Sequence, residues 1–370
     1  MRPEPSEEQS ELKRGVAEVL AREVTADRLL AWEKDPSGAD EEIWRHAAEL
    51  GWLGLGLPPS AGGGGVSLVE VACLLEEAGR GLLARPVIGG IRGALAVADV
   101  APESARLPDL ARGACRVALA LDELRVRDPA RYQTRLEGGK VSGEKAYVAD
   151  ADGSDLHLVA AREAGGVSLV LVDRRGPGVA MRSLQAFGHD RQAHVRYDAA
   201  PVVERLAGSG EGARSLATLW RRQVALALAE MVGGMAAVLD RTVAYVKERE
   251  QFGQKIAVFQ AVRHQVADMG TRATAARHLA WQAITRVARG SERSHELASA
   301  VAYVGQGFKQ LCWAAHHLHG GAGFVVEHPL RFYSERAQSL CIRYASEAPA
   351  LREIAAALLG ADGGASGPGA

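Results

Sequence analysis

Residues 245–269 read YVKEREQFGQKIAVFQAVRHQVADM, with two Lys, two Glu and an Arg set around a Gln-Phe-Gly triplet between positions 246 and 256. On its own, that crowding describes a solvated helix end running into a glycine turn, where charges gather and the helix stops. The stretch belongs to an Ala-rich zone, about residues 204–360, whose long helical patterns predict an antiparallel bundle of four helices.

Toward the N-terminus the pattern changes twice. Residues 113–203 hold short apolar or alternating runs (CRVALAL, GGKVSGEKAYVA, DLHLVAAR, GVSLVLVDRR, AHVRYD) parted by Gly, Asp and Pro. That alternation predicts a small antiparallel β-domain. Residues 1–112 return to helix-period stretches such as EEIWRHAAEL and SLVEVACLLEEAGRGLL. In the latter, Val69, Leu74 and Ala78 fall at helical spacings, with Ser67 as N-cap and Glu70 three residues on. Between these helices, GWLGLGLPPSAGGGGV cannot be helical because of its Pro pair and Gly run. The final stretch, ADGGASGPGA (361–370), is expected to be disordered. The expected fold is therefore α+β, with an N-terminal helical domain, a central β-domain and a C-terminal helical bundle.

Composition narrows the function. The chain of 370 residues is 47% apolar and 24% charged, as a water-soluble globular protein should be. A net charge of −1 gives no field favouring nucleic acid or an anionic membrane. Cys73, Cys115, Cys312 and Cys341 lie far apart without metal-binding spacing, which points to buried thiols in a reducing compartment. The N-terminus lacks the apolar core of a signal peptide, and no run of the ~18 apolar residues needed to cross a bilayer is evident. A cytoplasmic location is expected.

Four blocks taken in order resemble one family. They are GWLGLGLPPSAGGGGVSLVEVACLLEEAGR, GGKVSGEKAYVADADGSD, the 245–269 stretch, and HHLHGGAGFVVEHPLRFYS. Together they resemble the flavin-dependent acyl-CoA dehydrogenases from about Glu41 to Leu359, in register. The third block is the most specific, because R-x-Q-F-G followed by F-Q and A-D-M rarely arises by chance. The resemblance implies α,β-desaturation of an acyl-CoA thioester. A carboxylate removes the α-proton, and the β-hydride passes to FAD. It also implies that each FAD lies across a subunit boundary, with the R-x-Q-F-G stretch and the later Gly-Gly supplied by the neighbouring subunit.

The two halves of such a site read differently here. On the half given to a neighbour, Arg249, Gln251, Phe252, Gly253 and Gln260 match, as do Gly320, Gly321 and Gly323. His317 stands where the family has Gln before the Gly-Gly. An Arg guanidinium suits a pyrophosphate, and glycines let backbone N–H groups approach anionic oxygens. On the half kept for a chain's own flavin, the family's TEPxAGSD-like segment is replaced by ALALDELRVRDPARY, which retains only Asp122 or Glu123. The family's W-I-T triplet becomes Tyr147-Val148-Ala149, so an aromatic survives and the Thr hydroxyl does not.

The base is displaced as well. The glutamate of the family's Y-E-G-T aligns with Tyr344, whose ordinary pKa near ~10 makes a poor base. The alternative position, on the helix before R-x-Q-F-G, is Gln223. Glu230, about two helical turns further on, and Glu347 remain as candidates. These departures resemble the non-catalytic partner in α2β2 acyl-CoA dehydrogenases such as those of actinobacterial steroid side-chain degradation. Three other readings compete. They are a self-sufficient homotetramer using Glu230, a flavin monooxygenase on the same fold, and a flavin-free CoA-binding scaffold.

Several residues have plainer expectations. His316, His317 and His319 lack metal-site spacing and read as helix-end packing. The Gly62–Gly65 run reads as a structural turn, since it lacks the G-K-S/T ending of a phosphate loop. Trp44, Trp52, Trp220, Trp281 and Trp313 read as core or interface aromatics. Arg221 and Arg222 read as solvated charges, with CoA phosphates as the alternative.

Overall fold

The computed structural model describes residues 5–35, 41–126, 128–184, 186, 191–291 and 294–359. The 361–370 tail lies outside them. The packing divides the chain into two compact units, one over Pro5–Gln223 and the other beginning at Val224.

The first unit opens with helices α1 (Glu7–Glu23), α2 (Ala26–Lys34), α3 (Glu41–Glu49), α4 (Leu68–Arg80), α5 (Arg85–Val100) and α6 (Leu107–Ala111). α4 starts where Ser67 predicts. Its hydroxyl accepts the Val69 N–H, and the Glu70 carboxylate accepts the Ser67 N–H. Lys13 of α1 reaches Glu76 and Glu77 on α4 at 2.5 and 3.0 Å, one cation shared between two carboxylates on a largely buried helix. The Gly run before α4 is a turn required by close packing: a Cβ on Gly63 would lie 2.3 Å from the Leu57 carbonyl oxygen.

The strands follow as β1 (Val117–Ala120), β2 (Arg135–Glu137), β3 (Lys140–Ala149), β4 (Leu156–Glu163), β5 (Gly166–Asp173), β6 (Val179–Leu184) and β7 (Gln192–Ala207). They form one seven-stranded sheet. The expected antiparallel sheet is in fact mixed, because β1 and β2 both pair with β4 in parallel. The segment joining β1 to β4 is long enough to bring the chain back in the same direction, which a tight hairpin cannot do. The remaining pairings are antiparallel. β7 runs four residues past the expected boundary at 203, since Glu204, Arg205 and Ala207 still pair with β5.

The second unit is helical. α7 (Gly212–Glu248) begins in the first unit and continues into the second, followed by a two-strand hairpin, β8 (Glu250–Gln251) and β9 (Gln254–Lys255). α8 (Gln260–Ala288), α9 (Ser294–His319), α10 (Leu330–Tyr344) and α11 (Glu347–Leu359) complete it. α9 is the central element, packed against α8, α10 and α11. A Cβ on Gly234 of α7 would fall 2.5 Å from the Phe308 ring of α9, so glycine there permits a close helix approach. Contrary to the expectation of no such run, α7 is long and apolar enough to cross a bilayer. Most of that apolar stretch is buried, as in the core helix of a bundle.

Candidate functional site

The R-x-Q-F-G stretch is a solvated helix end running into a glycine turn, as expected, and that turn is the tip of a hairpin. α7 closes with the Arg249 N–H donating to the Tyr245 carbonyl, and the Ile256 N–H returns to the Arg249 carbonyl at 2.9 Å. Phe252 and Gly253 both take positive φ, +55° and +76°, the pattern of a two-residue turn that matches strand twist. Glycine accepts this freely, whereas phenylalanine is strained there. The Phe252 ring is 91% exposed and meets Phe259 edge-on, 6.0 Å away between centroids. Arg249, Gln251 and Gln260 are all exposed beside it.

In the same unit, α9 ends at the Gly320–Phe324 turn. Gly320 has φ +56°, and a Cβ on Gly320 or Gly321 would meet nothing within 4 Å, so both backbones are open to approach. His317 is exposed, while its neighbours are engaged as helix-end packing requires. His316 Nε2 lies 2.8 Å from Ser334 Oγ of α10. His319 is buried, its Nδ1 donates to the Ala315 carbonyl at 2.8 Å, and its ring stacks on Tyr245 at 4.3 Å.

The β-unit half of the site is arranged around a buried charge. Glu123 accepts the backbone N–H groups of Gln133 (2.7 Å) and Thr134 (3.0 Å), and the Lys145 ammonium at 3.1 Å. Lys145 is fully buried, 3.9 Å over the Tyr132 ring, and also donates to the Leu121 carbonyl. Burial pulls its ammonium down to about 8, although Glu123 opposes the shift. Lys145, with those two N–H groups, outweighs burial and holds the Glu123 carboxyl below its ordinary range. Glu123 thus ties its own end of this segment to Gln133, Thr134 and Lys145. Tyr147 follows at a β-bulge with φ +55°, its ring 48% exposed and 5.6 Å from His194.

Each base candidate has its own surroundings. Gln223 is buried and donates to the Arg92 carbonyl. Glu230 is 1% exposed and faces the Arg336 guanidinium of α10 at 3.7 Å. Tyr344 is buried at the end of α10, with Arg343 5.1 Å over its ring, and Glu347 starts α11 in an exposed position. Arg222 is not a solvated charge. It pairs with Asp99 at 2.6 Å, and burial pushes the Asp99 carboxyl up to about 6 despite that partner. The four cysteines are free, and Cys115 is only half-buried. Trp44, Trp52 and Trp281 lie in cores, whereas Trp220 and Trp313 are exposed.

Known families were compared with this arrangement. The acyl-CoA dehydrogenase N-terminal domain model matches residues 6–106, and the C-terminal domain model matches residues 211–359. The chain belongs to the acyl-CoA dehydrogenase family. It is 30% identical over 339 residues to acyl-CoA dehydrogenase FadE28 of Mycobacterium tuberculosis, covering 90% of this chain and 91% of that one. Among solved structures it resembles the Tcur3481–Tcur3483 steroid ACAD, with TM-score 0.87, 30% identity, and 95% and 98% of the two chains covered. It also resembles the ChsE4–ChsE5 complex of Mycobacterium tuberculosis, with TM-score 0.88, 25% identity and full coverage of both chains.

Within this acyl-CoA dehydrogenase chain, sequence reasoning missed three residues that shape the site. Lys145 and Arg336 were unassigned, because neither lies near its carboxylate in sequence. His328 was missed because it stands apart from the His316–His319 group, although it lies 5.1 Å from His319 in space.

Proposed function

We propose that this acyl-CoA dehydrogenase chain is the partner subunit of a heteromeric enzyme desaturating an acyl-CoA. It completes the FAD site of a paralogous subunit, and that subunit provides the base. FAD, once bound, would supply the hydride acceptor. Arg249 would meet its pyrophosphate, with Phe252, Gln251 and Gln260 shaping the approach. The open backbone at Gly320 and Gly321, with His317 beside it, would supply further contacts. The free thiols are consistent with a cytoplasmic enzyme.

The observation that carries this reading is the contrast between the half-sites. The donated half is exposed, with the Gln251 amide turned onto the adjacent Glu250 carbonyl. In the other half, Glu123 consumes the N–H groups of Gln133 and Thr134, and Ala149 offers no side-chain donor. Those residues do not fit a flavin ring that needs hydrogen bonds from that loop. Of the base candidates, Glu230 is set against Arg336 and Tyr344 is buried, which supports a base supplied by the paralogous subunit.

Expression of the chain alone and with a paralogous subunit tests this directly. Flavin absorbance should appear only on co-expression, in a complex with equal numbers of the two chains. One flavin per chain in the protein expressed alone, with acyl-CoA turnover abolished by Glu230→Gln, would identify a self-sufficient enzyme instead.

A further inference from the structure

Three histidines surround the connection that carries Gly320 and Gly321, and each makes a bond compatible with a neutral ring. The Leu330 N–H, the first of α10, donates to His328 Nδ1 at 3.2 Å. That nitrogen must therefore carry a lone pair, and a doubly protonated His328 would have none to offer. His319 donates through Nδ1 to the Ala315 carbonyl, a bond that a neutral ring and a protonated one both make. His316 bonds Ser334 Oγ, and Ser334 in turn donates to the Leu330 carbonyl at 3.2 Å. The three rings thereby connect the end of α9, the 320–329 turn and the first turn of α10.

The surroundings oppose a positive charge. His328 is disfavoured as a cation first by burial, then by His319, Arg241 of α7 and His316. His316 is likewise held down by burial and by His319, and His319 by burial against its bond to Ala315. On α7, Arg241 faces this side and lies 5.8 Å over Tyr333, while Tyr245 donates its hydroxyl to the His319 carbonyl at 3.2 Å. On α10, Arg331 donates to the Val326 carbonyl and pairs with Glu335 at 3.3 Å, so that carboxylate is already engaged. The positive end of the α10 dipole adds to the same sign at His328, whereas the C-terminal end of α9 favours charge on His316 and His319.

We propose that His328, crowded by His316 and His319, is a neutral-state latch that holds the 320–329 turn against α10 and releases it when the ring takes up a proton. The sign follows from linkage. A histidine held below its ordinary value stays neutral when folded while the unfolded form binds a proton. The latch is therefore complete above about pH 6.5 and weakens as pH falls below it. The consequence for nucleotide binding rests on the reading that Gly320 and Gly321 meet a partner's FAD. In that case, acid would loosen the donated half-site without touching Arg249.

Hydrogen exchange of the full chain, without added flavin, tests the latch apart from that reading. Protection factors for the 320–335 peptide, corrected for intrinsic rate, should fall by about tenfold from pH 7.5 to 5.5, the size of one ~1.4 kcal/mol step. His328→Asn retains a side-chain acceptor near the Leu330 N–H and cannot titrate, so its protection should stay near the wild-type pH 7.5 value throughout. Wild-type protection that is flat across this range overturns the latch. So does a His328→Asn chain with undiminished pH dependence. If that variant does not fold, the wild-type profile and His316→Asn decide, the latter expected to shrink the pH response. In the co-expressed complex, flavin that stays bound while the peptide opens overturns the link to nucleotide binding.

Discussion

The hairpin at 249–259 and the loop at 122–134 both pack charge around an aromatic, and they use it in opposite ways. In the loop, Glu123 and Lys145 are buried together and the carboxylate takes two backbone N–H groups besides. In the hairpin, the side chains of Arg249, Glu250, Gln251 and Lys255 all stand in solvent around an exposed Phe252. The difference shows whether a charge's partner lies inside the chain. A charge satisfied internally organises its own loop, while an exposed constellation on a strained turn is available to another molecule.

Removing charge from each region should separate them most sharply. Lys145→Met leaves Glu123 buried without its cation and should lower stability by about 3–5 kcal/mol in chemical denaturation. The double variant Lys145→Met/Glu123→Gln should recover part of that loss. A Lys145→Met cost no larger than that of an exposed residue would erase the comparison.

Arg249→Ala should do the reverse. Its stability effect should stay within about 0.5 kcal/mol, as for a surface substitution. Flavin affinity of the co-expressed complex should fall about 10- to 100-fold, the worth of one charge-assisted contact. Absorbance of the dialysed complex reads this out, and undiminished flavin retention would remove Arg249 from the site.

Much of the architecture was legible in the sequence because it rests on periodicity and punctuation. The α4 start follows from Ser67 and Glu70, three residues apart, and the order of helix, strand and helix follows from alternation against helical spacing. The parallel pairing of β1 and β2 with β4 was not legible, since strand direction depends on where a connection returns. In the site, the R-x-Q-F-G residues could be singled out because they are contiguous, although the hairpin they form was not foreseen. Glu230 could be named as a carboxylate on α7, but only folding brings Arg336 to it from α10. The same holds for Lys145 and Glu123, and for His328 beside His319.

Glu230 offers a sharper test than its burial alone. Glu230→Gln keeps the shape of the side chain and an oxygen that can face Arg336, so the expected cost is about 1–2 kcal/mol rather than that of an abandoned charge. If the residue only holds α7 to α10, turnover of the co-expressed complex should remain within about threefold of wild type. A loss of turnover of about 100-fold or more, with the complex still assembled and flavin-loaded, would make Glu230 the base after all.

Phe252→Gly should have a small effect on the fold and tests the reason for the exposed ring. At φ +55° a non-glycine residue costs roughly 1–2 kcal/mol, and glycine relieves that strain. Against this, glycine gives the unfolded chain more freedom, worth about 0.5–1 kcal/mol, and the variant loses an edge contact with Phe259. These terms nearly cancel, so the expected stability change of the isolated chain is below about 1 kcal/mol. A residue kept for folding would not show that balance. A strained, 91% exposed aromatic instead implies that its worth is realised outside this chain. Assembly with the paralogous subunit, or flavin retention in that complex, should therefore weaken although the chain itself is no less stable. Destabilisation above about 2 kcal/mol in the isolated chain would show that Phe252 serves its own fold, and the contrast between hairpin and loop would lose its strongest member.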